Sequence, residues 1–282
     1  MAAGKRKPGD GKRGRDRLRA VIFDLDGVIY RGQRLLPQAP EAVAWARGRG
    51  LGVRFLTNNS TITRDEYSRR LGGFGIPTPP EDIMTSAYAT VLYLKSRGND
   101  AAKVLVVGEG GLRQEIAAVG LEVVQWSNAQ DARYVAVGMD RAFCYDMLRA
   151  AMHAILGGAE FIASNADATF PVEDGLLPGG GTIVAAIETA VGFAPVVIGK
   201  PSTRMLDLLL SDLRCAPGEV VIVGDRLDTD IKVGRDAGMH TALVLTGISS
   251  AQEARVAPEE IRPEWIIETL AELPPLLEER LA

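Results

Sequence analysis

With 282 residues, of which 46% are hydrophobic, 24% charged and 6% aromatic, the chain has an ordinary globular composition and room for one large domain or two smaller ones. No apolar run approaches the ~20 residues of a membrane span and no apolar signal core follows the basic N-terminus, so the cytoplasm is the expected compartment and no membrane partner is expected. The formal net charge of −4 is uneven: residues 1–19 hold eight Lys/Arg against two Asp, leaving −10 on the remainder, and that acidic body argues against nucleic acid.

In chain order, the Gly-, Lys- and Arg-rich segment 1–17 has too little apolar content to fold and is expected to be a disordered basic tail. An apolar strand over 20–23 follows, ending in Asp24-Leu25-Asp26-Gly27. Residues i and i+2 of an extended segment share a face, so the two carboxylates can lean together. They then repel unless a proton or cation intervenes. Mg2+ is the usual hard partner for such a pair working on phosphate, whereas an Asp-Gly turn is the plainer account. A helix over 41–49 leads to a strand over 53–56 that ends in Thr57-Asn58-Asn59, and helices are expected over 64–71 and 88–97.

The strand over 104–107 runs into Gly108-Glu109-Gly110-Gly111. This suggests a dinucleotide fingerprint, but Arg113 stands where its third glycine belongs, and a tight strand-to-helix turn explains it better. A strand over 134–137 and a helix over 145–156 follow, with His153 inside the helical apolar pattern as a packed or surface histidine. The strand over 161–163 ends in Ser164-Asn165-Ala166-Asp167, and Pro178-Gly179-Gly180-Gly181 fits a hinge or a simple turn equally well. Beyond a helix over 183–191, a strand over 196–198 ends in Gly199-Lys200-Pro201. A nucleotide P-loop is excluded there because Pro201 takes the Ser/Thr position and Ala194 that of the upstream glycine. A helix over 203–213, a strand over 220–223 ending in Gly224-Asp225, a strand over 241–245 and a helix over 274–281 complete the chain. Cys144, Cys215, His153 and His240 stand in unrelated contexts, against a zinc cluster or a disulfide framework, and the scattered Trp45, Trp126 and Trp265 read as packing residues.

Strands alternating with helices predict an α/β protein with a Rossmann-like parallel sheet. Ligands of such sheets bind at the carboxyl ends of the strands, and four strand ends on adjacent strands carry chemistry. A phosphate monoester needs a nucleophile, neutralisation of its oxygens and a proton for the leaving group. Asp24 can attack phosphorus, Asp26 can give and retake the proton, and Mg2+ can sit on Asp24, Asp225 and a main-chain oxygen near Asp26. Thr57 with the amides of Asn58 and Asn59, and the charge of Lys200, can hold the phosphoryl oxygens. Singly, each has a plainer reading: a cap for the helix near Thr63, a loop lysine, helix-start acids. Jointly, four strand ends would have to coincide.

Asp24-Leu25-Asp26-Gly27-Val28, Thr57-Asn58-Asn59-Ser60, Gly199-Lys200-Pro201 and Gly224-Asp225-Arg226-Leu227-Asp228-Thr229-Asp230-Ile231 resemble, in this order, the four motifs of the haloacid dehalogenase superfamily, in its NagD-like branch of 4-nitrophenylphosphatases and related enzymes. The resemblance runs from about Leu18 onward. It implies a Mg2+-dependent phosphatase acting on small-molecule phosphate esters, with Asp24 as nucleophile, Asp26 as acid/base, and the metal at Asp24, the Asp26 carbonyl and Asp225 with Asp230 in support. About 30 residues separate Asp26 from Thr57, but about 140 separate Asn59 from Lys200, far more than a crossover needs. An α/β cap over 86–180 is therefore expected between core segments 18–85 and 181–282. Asn165 and Asp167 resemble a segment placed where the cap faces the site, and are candidate substrate contacts; an Asx turn is the alternative. Homodimers occur among similar proteins, which implies one here. Two rivals remain: a phosphotransferase or mutase using the same intermediate, and a phosphate-responsive binding protein, against which the intact Asp26 weighs.

Overall fold

Short runs of β-branched and apolar residues, most of them leading into helices, build two parallel sheets joined through one apolar layer. The computed structural model describes residues 17–98, 101–172 and 175–281, so the expected basic tail lies outside the described residues apart from Arg17. In chain order the strands are β1 Ala20–Asp24, β2 Tyr30–Arg31, β3 Arg34–Leu35, β4 Gly52–Thr57, β5 Ile83–Thr85, β6 Lys103–Val107, β7 Glu122–Val124, β8 Tyr134–Val137, β9 Glu160–Ala163, β10 Thr169–Val172, β11 Gly175–Pro178, β12 Val196–Val197, β13 Val220–Gly224, β14 His240–Val244 and β15 Trp265–Ile267. The helices are α1 Ala39–Gly48, α2 Arg64–Gly73, α3 Ser86–Ser96, α4 Gly110–Ala118, α5 Tyr145–Leu156, α6 Gly180–Val191, α7 Arg204–Leu213, α8 Lys232–Asp236, α9 Ala251–Val256 and α10 Leu273–Glu278.

The first sheet has the order β15-β14-β13-β1-β4-β5 and the second β12-β9-β8-β6-β7, while β2-β3 and β10-β11 are antiparallel hairpins. Register levels the ends of the central strands: Phe23 pairs with Val223 on one side and Asp24 with Leu56 on the other. Asp24, Thr57 and Asp225 therefore emerge together at one edge. The second sheet takes α6 and β12 from beyond residue 180, so its chain extent runs past the boundary expected there.

Alternation along each strand assigns its two faces. Val21 and Phe23 point into a core closed by α1 and α10, with Leu273 and Leu277 fully buried. Ala20 and Ile22 point the other way, into a layer they share with Val104, Val106, Ala136 and Ile162 of the second sheet and with Leu112, Met205 and Leu206 of α4 and α7. Leu105, Val107 and Val135 face a third cluster under α5 and α6. Each fully buried aliphatic side chain contributes about 1.5–3 kcal/mol, so the middle layer holds the sheets together strongly. At the start of α2, the Thr63 hydroxyl accepts from Glu66 N at 3.2 Å and Glu66 Oε2 accepts from Thr63 N at 2.7 Å, fixing where the loop after β4 becomes helix. Among the described residues, no helix is long and apolar enough to cross a membrane.

Candidate active site

Three neighbouring strands of the first sheet, β13, β1 and β4, present Asp225, Asp24 and Thr57 at their carboxyl ends. The fourth strand end departs from the expectation of adjacent strands. Lys200 follows β12, which is the edge strand of the second sheet and pairs with β9. Two hydrogen bonds lead it to the site: Gly199 N donates to Ser164 O at 2.8 Å, and Lys200 N to Asn58 Oδ1 at 2.8 Å.

There the Lys200 ammonium, 3% exposed, donates to Asp24 Oδ1 at 2.5 Å and Asp230 Oδ1 at 2.6 Å. Asp24, Asp225 and Asp230 are all buried, with one carboxylate oxygen from each lying within 4.8 Å of the others. A π-helical turn, Leu227–Ile231, brings Asp230 back to β13, where Asp230 Oδ2 accepts from Asp225 N at 3.2 Å and Arg226 N at 3.1 Å. Asp225 Oδ2 accepts from Ile248 N at 2.8 Å. Gly27 turns the chain away from Asp24 with φ +83° beside the same carboxylate; a Cβ there would stand 2.5 Å from Asp225 Oδ2, so only glycine fits both the turn and the space.

Three carboxylates share one ammonium in a dry site, an excess of negative charge that a divalent cation would neutralise. Electrostatics agree with this count. Burial, together with the neighbouring Asp230, pushes Asp225 up to about 7, and burial holds Asp24 well above the usual carboxylate range despite Lys200. Against the opposing effect of burial, Asp230 and Asp24 keep the Lys200 ammonium well above its ordinary value. Oxygen ligands of this kind suit a hard divalent cation.

Asp26 stands apart from the cluster. Its carboxylate accepts from the Tyr30 hydroxyl at 3.3 Å, so the sequence picture of two acids leaning together gives way to two acids in different surroundings. Burial of its inner side pushes Asp26, which stays partly open to the cleft, up to about 6, with Arg70 and the Tyr30 hydrogen bond opposing, a value suited to an acid that must also act as a base near neutrality. Burial, with Asp26 beside it, holds the Tyr30 phenol well above its ordinary value, so it remains a donor.

Thr57 and Asn58 are buried beside this group. Thr57 Oγ1 accepts from Asn59 N at 3.1 Å, and Asn59 Oδ1 accepts from Thr61 N at 2.9 Å, so the Asn59 side chain shapes the loop. Asn58 ties three segments: its Nδ2 donates to Lys200 O at 3.0 Å and to Asp167 at 3.0 and 3.1 Å, while its carbonyl accepts from Asn165 Nδ2 at 2.7 Å. Asn165 and Asp167 thus reach the site through the loop after β4, and Asp167 also lines a cleft of about 80 Å3 with Asp24, Asp26, Lys200, Asp225 and Phe170. Sequence reasoning missed Tyr30, Arg70 and Arg226. Arg226 NH1 donates to Thr169 O of β10 at 3.2 Å while its fork holds Asp228 at 3.0 and 2.8 Å. The available signal was proximity, since Tyr30 stands four residues past Asp26 across a turn and Arg226 directly follows Asp225.

Residues 21–122 match the haloacid dehalogenase-like hydrolase family and 197–273 a HAD-hydrolase-like family. The chain is 34% identical over 259 residues to a 5'-nucleotidase of Bacillus subtilis, covering 92% of this chain and 98% of that protein. Among solved structures it is similar to a p-nitrophenyl phosphatase from Archaeoglobus fulgidus, with 33% identity and a TM-score of 0.85 over 93% of this chain and 99% of that one. A glycerol phosphate phosphatase from Mycobacterium tuberculosis in complex with magnesium is 35% identical, with a TM-score of 0.83 over 91% of this chain and 76% of that one.

Proposed function

The chain belongs to the haloacid dehalogenase-like hydrolases, in their NagD-like branch, and is a phosphoric monoester hydrolase; from that premise we propose that it is Mg2+-dependent and hydrolyses small phosphate monoesters through an aspartyl-phosphate on Asp24. The observation that carries the reading is the division of labour between two acids two residues apart. Asp24 lies in the lysine-bridged carboxylate cluster and Asp26 lies outside it, against a phenol.

Asp24 and Asp225, with the Asp26 carbonyl and Asp230 in support, would hold Mg2+. When bound, the ion screens an anionic nucleophile from an anionic phosphate. Asp24 attacks phosphorus; as its P–O bond forms, the bond to the leaving oxygen breaks and that oxygen takes the Asp26 proton. Water then attacks the phosphorylated Asp24, gives its proton to Asp26 and releases inorganic phosphate, returning both residues to their starting forms. Lys200 orients Asp24, opposes the burial that raises it, and meets the phosphoryl oxygens together with Thr57 and the Asn58 amide; the Asn59 amide expected there is instead taken by Thr57 Oγ1. The second sheet, with α5, α6 and the β10-β11 hairpin, acts as the cap, and Asn165 and Asp167 carry its contacts with the substrate.

The test is phosphate release from 4-nitrophenyl phosphate with and without Mg2+, by the native chain and by Asp24→Asn. Stoichiometric phosphate, lost in EDTA and in the variant, is expected. Turnover that survives either change, or transfer of the phosphoryl group to a sugar acceptor in place of release, refutes the reading.

A further inference from the structure

Asp26 must be held in one orientation to serve a leaving oxygen, and nothing in the carboxylate cluster holds it. The residues that do come from β2 and α2. Tyr30 OH donates to Asp26 Oδ2 at 3.3 Å, and the Arg70 guanidinium lies over the Tyr30 ring with Cζ 3.7 Å from its centroid. Arg70 also donates to Gly32 O, which fastens it to the turn between β2 and β3. Phe74 packs beside the phenol, with ring centroids 5.9 Å apart, and its own ring centroid lies 5.8 Å from Arg70 Cζ. Tyr30 is itself fully buried, so its hydroxyl cannot swing to solvent.

Resting on the reading of Asp26 as acid/base, we propose that Tyr30 is a positioning residue for that acid. Its hydroxyl fixes Oδ2 and turns the second oxygen, Oδ1, to the cleft that Asp26 lines. Arg70, stacked on the ring, fixes the phenol in turn. Positioning of this kind matters in proportion to the proton the leaving group needs. A phenolate with no nitro group to draw off its charge requires the Asp26 proton as its P–O bond breaks; 4-nitrophenolate is stable enough to leave with little.

Tyr30→Phe removes the one hydroxyl and keeps the ring against Arg70 and Phe74, so the fold is retained and is checked by thermal melting. Phenyl phosphate and 4-nitrophenyl phosphate, nearly equal in size, are compared in Mg2+ by kcat/KM, which reads events up to the first P–O cleavage. General acids contribute about 100- to 10,000-fold, so loss of aim without loss of the acid is expected to lower the phenyl phosphate value about tenfold and the nitrophenyl value no more than about twofold. A ratio of the two values unchanged from the native chain, whether both fall together or neither moves, overturns the proposal. Asp26→Asn, run alongside, separates the premises. If Asp26→Asn keeps turning over phenyl phosphate, the acid/base reading itself is wrong; if it does not while Tyr30→Phe leaves the ratio unchanged, only the role of Tyr30 is.

Discussion

Replacing Lys200 by methionine removes the only ammonium among the described residues that bonds Asp24 and Asp230, while keeping most of the side chain's volume. All three partners are buried, at 3%, 6% and 1% exposure, so water cannot take the lysine's place without opening the site. Breaking a buried pair by removing one partner destabilises by about 3–5 kcal/mol, because the remaining charge stays desolvated and unpaired. Here one ammonium serves two carboxylates, which places the expectation at the upper end in a metal-free protein. With a urea slope of about 3 kcal/mol per M, the midpoint in EDTA moves down by about 1.3–1.7 M. Saturating Mg2+ restores part of the difference, since a cation in the cluster supplies the missing positive charge. Turnover in Mg2+ falls by at least about 100-fold, the usual scale for losing a group that stabilises phosphoryl charge. The assay is equilibrium urea unfolding with and without EDTA, paired with phosphate release. A midpoint shift under about 0.3 M in EDTA would refute the reasoning, because it would mean that the carboxylates do not depend on the ammonium.

The remaining predictions use the same geometry. Asp24→Asn abolishes steady-state phosphate release, and a labelled phosphoryl group recovered on the native protein in a rapid acid quench but not on the variant checks why. The folded-state value of Asp225, raised to about 7 from 3.8, means that this group's contribution to stability is fully present below its unfolded value and is lost as pH rises to 7. Mg2+ requires the ionised carboxylate, so the rise in melting temperature on adding Mg2+ is larger at pH 8 than at pH 6; equal shifts would count against Asp225 as a ligand. Gly111→Ala places a Cβ 2.4 Å from Ile62 N and 2.6 Å from Thr61 C, both backbone, so α4 must move off the loop after β4. A stability loss of about 1–3 kcal/mol, read by urea unfolding, is expected from that overpacking, with a rise in KM because the loop carries Thr57–Asn59.

Long apolar runs were readable because a buried parallel strand is apolar on both faces. β1, β6, β8, β13 and β14 fall close to where periodicity puts them. Three-residue β5, β7 and β15 are too short to show a period, and each strand of the β10-β11 hairpin carries a proline. Sequence also brought Asp24, Asp225 and Lys200 to one place, since each stands at a strand end. What it could not reveal was orientation. Whether Asp26 faces Asp24 or Tyr30 depends on the turn at Gly27, and the sheet to which β12 belongs depends on pairings made over long separations. The role of Asn58 was hidden for the same reason, because its partners Asn165, Asp167 and Lys200 lie more than 100 residues along the chain.

The apolar layer between the sheets bears on how the molecule comes apart. Ile22 and Leu56 of one sheet lie in the same cluster as Val106 and Ile162 of the other, and the loop after β4 is bonded to the far side through Gly111 N to Thr61 O at 2.9 Å. Neither sheet can melt without exposing the inner face of the other, so unfolding should proceed in a single cooperative step. Ligand loops usually belong to the least stable parts of a protein, those that open long before the whole does. Here the loop after β4, proposed to meet the phosphate, is stitched to the layer whose rupture is global unfolding. The protein therefore keeps its catalytic edge for as long as it keeps its fold, and a substitution on the inner face of the second sheet is felt at Asn58 as a change in stability before it is felt as a change in chemistry.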